Sequence, residues 1–62
     1  MEDRSQFVED NRVYNVKYKY QKSVVWAITY VDGVEVTASG IDEESAYWAI
    51  QQKVYQQLNF RL

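Results

Sequence analysis

The chain has 62 residues, nine acidic and seven basic side chains, a net charge of −2, and no His, Cys or Pro. That length allows one domain at most, and the missing residue types exclude a disulfide framework, a thiolate nucleophile, a thiolate metal site and a histidine base. No stretch nears the roughly 18 apolar residues of a membrane-crossing helix, and the acidic start lacks the apolar region of a secretory signal. The expectation is a cytoplasmic protein without metal or cofactor.

Residues 1–11 are polar and charged apart from Phe7-Val8, and Asp10-Asn11 is a turn signal. This segment reads as a flexible tail or a short helical turn that docks Phe7. Residues 12–62 read as a single β-β-β-α domain. Arg12 to Gln21 alternates, with Tyr14, Val16, Tyr18 and Tyr20 on one side and Asn15, Lys17, Lys19 and Gln21 on the other, the period of a β-strand. Val24 to Val31 is β-branched and aromatic and forms a second strand. Asp32-Gly33 is a strong hairpin signal, because a type I′ turn needs positive φ at both central positions. Val34 to Ser39 completes the third strand.

Gly40 breaks the pattern and Asp42 is placed to cap a helix, with Glu43 and Glu44 in its first turn favourable to the helix dipole. Ile41 and Ala46 match a hydrophobic staple. Ala46, Ile50, Val54 and Leu58 then recur every four residues, with Tyr47 alongside, as one apolar stripe. The fold class is α+β: a three-stranded antiparallel meander packed on one C-terminal helix.

Six Tyr, two Trp and two Phe dominate the packing of so small a chain. A domain of about 60 residues buries only about 60% of its unfolded surface, and each large aromatic can remove about 150–250 Å² from water. Oligomerisation is the other route to stability at this size, so a homodimer is an open alternative.

Two-residue turns at Lys22-Ser23 and Asp32-Gly33 pair Tyr20 with Val25, Tyr18 with Ala27 and Val31 with Val34. One face then holds Tyr14, Val16, Tyr18, Tyr20, Val25, Ala27, Thr29, Val31, Val34, Val36 and Ala38. Its alanines allow a helix to approach closely. The other holds Asn15, Lys17, Lys19, Trp26, Ile28, Tyr30, Glu35, Thr37 and Ser39. A bulged three-residue loop at Lys22-Ser23 would shift the register by one and put Trp26, Ile28 and Tyr30 in the core instead. With the two-residue turn they form an exposed apolar row, the kind of patch that marks an interaction site. Trp48 and Tyr55, seven residues apart with Gln52 between them, lie at the margin of the helix stripe. They either cover a sheet edge or form a second interface for a partner or a second copy.

Catalytic candidates are few. Glu43 and Glu44 are explained by helix capping, Asp32 by its turn, and there is no Gly-rich phosphate loop; no enzyme activity is expected. The run Trp26-Ala27-Ile28-Thr29-Tyr30-Val31-Asp32-Gly33, followed by Gly40-Ile41-Asp42-Glu43-Glu44-Ser45-Ala46, resembles the arm-site DNA-binding domain of phage-type integrases. It is also similar to the DNA-binding domain of plant ethylene-response factors. The resemblance covers about residues 25–50 and implies a sheet that enters a DNA groove. Double-stranded-RNA-binding domains share the element order, but their basic helix start is here Asp42-Glu43-Glu44.

In the DNA-binding families Arg and Lys line the sheet. Here the third strand offers Glu35, Thr37 and Ser39, no Arg lies on the face, and Lys17, Lys19 and Lys22 are its local cations. Nucleic-acid affinity comes largely from phosphate neutralisation, so the leading expectation is a protein-binding module. Such a chain suits a small regulator or inhibitor of a host protein, of the kind phages and mobile elements encode. Trp26, Ile28, Tyr30 and Thr37 would make the contact, with Lys17 and Lys19 at its rim. A nucleic-acid-binding module using the same face is the alternative. An acidic nucleic-acid mimic is a further one, against which the near balance of charge weighs.

Overall fold

A computed structural model describes residues 3–59. The ends of the two expected segments, Met1-Glu2 and residues 60–62, lie outside that range. The elements are β1 (Gln6–Glu9), β2 (Arg12–Asn15), β3 (Lys17–Gln21), β4 (Val24–Val31), β5 (Val34–Gly40) and α1 (Glu43–Asn59). Strands β3, β4 and β5 form the expected antiparallel meander, and α1 packs on one of its faces.

The amino-terminal segment departs from the expected tail or helical turn. Residues 6–9 are a strand, paired antiparallel with β2 so that Phe7 faces Tyr14 and Val8 faces Val13. Asp10 and Asn11 both have positive φ, 55° and 63°, which is the type I′ geometry that short Asp and Asn side chains tolerate. Phe7 is buried as expected. Its ring stacks on Tyr14 at 5.4 Å and meets Tyr47 edge-on at 6.3 Å between centroids.

The strand expected over Arg12–Gln21 is divided at Val16. Its first half pairs with β1, continued by a Val16 N–H bond to the Ser5 carbonyl at 2.8 Å. Its second half pairs with β4. At the break the Thr29 hydroxyl donates to the Asn15 carbonyl at 2.7 Å, supplying the bond that a neighbouring strand would otherwise give.

Within the meander the register is that of two-residue turns: Tyr18 faces Ala27, Tyr20 faces Val25 and Val31 faces Val34. Asp32 and Gly33 both have positive φ, but in the first hairpin only Lys22 does. Positive φ at the first central residue alone is the pattern of a type II′ turn, which connects the strands in two residues without the Asn-Gly chemistry of type I′. The core therefore lies where Val25, Ala27, Thr29, Val31, Val36 and Ala38 meet Ala46, Ile50 and Val54, all buried. Tyr20 and Val34 belong to this side by register, yet both stay exposed at the two ends of the sheet.

Asp42 caps α1 as expected, its carboxylate accepting the Ser45 N–H at 2.8 Å and its carbonyl the Ala46 N–H at 3.0 Å. The bond from Ser45 holds the Asp42 carboxyl below the usual carboxylate range. The staple does not form: Ile41 is 82% exposed. Gly40 closes the turn instead. A Cβ there would stand 2.6 Å from the Ala46 nitrogen and from Ser45 Cβ, so the bare backbone lies directly on the first helical turn while Ile41 is left in solvent.

Candidate binding site on the outer sheet face

The face of the meander turned away from α1 is built by register alone. Across the three strands Lys17 aligns with Ile28 and Thr37, Lys19 with Trp26 and Ser39, and Tyr30 with Glu35. Trp26, Ile28 and Tyr30 therefore stand in one row on the central strand. Lys17 and Lys19 lie on one flank, and Glu35, Thr37 and Ser39 on the other. Trp26 and Tyr30 are exposed and Ile28 is half-buried between them. The shifted register that would have put this row in the core is not adopted.

Trp26 is held in place by its Nε1–H, which donates to Gln21 Oε1 at 3.2 Å. A shallow depression of about 270 Å³ lies beside it, lined by Lys19, Gln21, Trp26, Ile28 and Thr37. A second, of about 250 Å³, opens at the corner where β2 leaves β4, between Val13, Asn15, Thr29 and Tyr30. The ion pair of Arg12 with Asp32, at 3.1 Å, closes that corner and raises the Arg12 pKa through its hydrogen bond to Asp32. The structure thus adds to the expected residues Val13, which lines the second depression, and Val24, which is exposed on β4 by alternation with Trp26. Val24 could have been found from its place two residues before Trp26 on the same strand. Val13 could have been found in the same way, two residues before Asn15 in the alternation of Arg12–Gln21; only its pairing with Val8 follows from the unforeseen β1–β2 hairpin.

Trp48, Gln52 and Tyr55 do share one side of α1, but Trp48 is not at the margin of the buried stripe. At 3.6 residues per turn Trp48 lies about 160° around the helix from Ile50, which is fully buried. Both aromatics are more than half exposed; Trp48 faces outward, while Tyr55 borders, with Leu58 and Asn59, a depression against Glu9 and Asp10 of the β1–β2 hairpin. Val8 and Val13, paired on the outside of the β1–β2 hairpin, make another exposed apolar spot.

The carboxylates at the helix start have structural partners. Glu43 accepts from the Tyr20 hydroxyl and from Arg4 at 3.4 Å, and Glu44 lies 4.0 Å from Arg4. The bond to Glu43 also raises the Tyr20 pKa. Among the described residues no three His, Cys, Asp or Glu side chains gather as a metal site would need, and no helix is long and apolar enough to cross a membrane. No family model matches the chain, and neither curated proteins nor solved structures yield a match.

Proposed function

We propose that the chain is a non-catalytic protein-binding module that contacts its partner through the outer sheet face. One observation carries this reading: Trp26, Ile28 and Tyr30 stand in a row on the solvent side of the central strand, although burying them is not what holds α1 to the sheet. Large aromatics at the centre of a flat patch with a polar rim are the usual energetic anchors of protein interfaces. Lys17 and Lys19 on one flank and Glu35 on the other call for a partner with an apolar centre, carboxylates on one side and a cation on the opposite side. Occupying such a surface would be enough to regulate or inhibit the partner.

Single-stranded nucleic acid is the second reading, favoured by Trp26 lying in register beside Lys19, as a base-stacking ring beside a phosphate contact would. Glu35 on the same face works against it. Affinity capture from a lysate of the source cells, with and without nuclease, separates the two. The expected result is one protein retained by the wild type after nuclease treatment and lost with the folded Trp26→Ala, Tyr30→Ala double variant. Loss on nuclease treatment, or unchanged capture by the double variant, would sink the proposal.

A further inference from the structure

An open sheet ends in strands whose outward N–H and C=O groups lack ladder partners, and the two-residue turns specify which groups these are. In such a hairpin the residues flanking the turn exchange both hydrogen bonds, and the pattern alternates from there. On β1 the outward residues are Gln6 and Val8, and the Gln6 carbonyl is taken by the Tyr47 hydroxyl at 2.8 Å. On β2 the outward Asn15 carbonyl is taken by Thr29. On β3 the outward residues are Tyr18 and Tyr20, flanked by Lys17, Lys19 and Lys22; lysines are a common guard on an exposed edge.

Strand β5 carries no lysine, and Glu35 is its one charge. Val34, Val36, Ala38 and Gly40 bond to β4, so Glu35, Thr37 and Ser39 direct their backbone groups to the free edge. Among the described residues no side chain bonds to these groups. Beside this edge, between β5 and α1, runs a groove of about 530 Å³ lined in part by Trp26, Ala38, Ala49, Gln52 and Lys53. The two alanines keep it open, and among the described residues Lys53 is the one cation that lines it.

We propose that this edge accepts an extended segment of the protein partner as a fourth strand. The segment's side chains alternate between the groove over Ala38 and Ala49 and the Trp26 side of the outer face, and a carboxylate on the groove side meets Lys53. A row of alternating backbone donors and acceptors is matched by an extended peptide and by few other ligands. A second copy fits less well. Its own β5 would turn Val36 and Ala38 toward the groove and offer Lys53 no carboxylate. The inference rests on the reading of the chain as a protein-binding module and specifies how the partner is held.

The test uses a phage-displayed random heptapeptide library selected against the full chain, with affinities of the recovered synthetic peptides measured by titration calorimetry. Recovered peptides should alternate β-favouring residues and carry an acidic one. They should lose about tenfold or more in affinity for Thr37→Pro, and on N-methylation of the peptide amide that bonds to the edge. Because the Thr37 N–H points away from β4, proline there removes no ladder bond. Should that variant fail to fold, the N-methylated peptides decide alone. In hydrogen exchange the Thr37 and Ser39 amides should be fast in the free chain and protected by the peptide. Peptides that bind Thr37→Pro and tolerate N-methylation, yet are lost with Trp26→Ala and Tyr30→Ala, would overturn the strand-addition inference and leave the outer-face reading standing. So would recovery of no peptide, or a dimer in light scattering that Thr37→Pro dissociates.

Discussion

The two faces of β4 are built in opposite ways. Toward α1 the strand presents Val25, Ala27, Thr29 and Val31, all buried; toward solvent it presents Val24, Trp26, Ile28 and Tyr30. The larger side chains are on the wet side. Small residues inside let the helix backbone come close, with Ala27, Ala46, Ile50 and Val54 at 0% exposure, and close-packed interiors are sensitive to any change in volume. Stability therefore resides in a thin contact between sheet and helix, and the bulk on the outer face stays exposed, as the proposed recognition role requires. That division can be tested by substitution, since inner and outer changes should differ sharply in cost.

The largest effect is expected inside. Ile50→Ala should destabilise by about 2–5 kcal/mol, against the roughly 3–5 kcal/mol that a core of this size supplies in total. The variant should be largely unfolded without denaturant, as read by circular dichroism. A cooperative urea transition close to that of the wild type would show that the helix contact does not hold the fold.

Thr29→Val comes next. The change keeps the shape and favours a strand, yet it removes the donor to the Asn15 carbonyl. Leaving that acceptor without its bond costs about 1–3 kcal/mol. The loss should be local, with faster amide exchange in β1 and β2 than in β4 and β5. On the outer face the double change Trp26→Ala, Tyr30→Ala removes cross-strand pairs worth about 0.2–1 kcal/mol each and should shift the urea midpoint only modestly. If it unfolds the chain as Ile50→Ala does, the outer row belongs to the fold and its recognition role fails.

How much of this was legible beforehand follows from which signals are local. The register of β4 and β5 could be read because Asp32-Gly33 specifies both the turn and the pairing. The inner and outer faces then followed by alternation. The first hairpin could be paired but left two registers, since Lys22-Ser23 satisfies a type II′ turn without announcing it. Gln6–Glu9 was missed as a strand although Asp10-Asn11 signalled a turn, because Gln6 and Glu9 are polar and one of the rings that cover Phe7, Tyr47, is distant in sequence. The same tertiary origin hid the exposure of Ile41, which is decided by Gly40 lying on Ser45 and Ala46. Of the two helix aromatics the margin position suits Tyr55, which lies beside Leu58, whereas the helical angle alone sets Trp48 on the far side of α1.

The smallest expected effect concerns the rim between the two faces. Tyr18 is on the inner side and half-buried, and its hydroxyl donates to the Arg4 carbonyl at 2.6 Å. Burial, then the negative charge of Glu43, pushes its pKa from 10.0 up to about 12. The folded chain thus favours the protonated phenol more than the unfolded chain does. That preference contributes fully to stability below pH 10 and is lost as the pH rises through about 12. Tyr20 is shifted in the same direction by its bond to Glu43, so the two reinforce each other in the alkaline range. Solvent reaches both groups and screens the gain, so the change in melting temperature should be slight. The measurement is tyrosinate absorbance against pH, where one group should ionise well above an ordinary tyrosine and vanish from the titration in Tyr18→Phe. That variant should also keep more of its neutral-pH stability at high pH than the wild type does. An alkaline limb that is identical in the two proteins would mean that the Tyr18 phenol is not held partly buried beside Glu43.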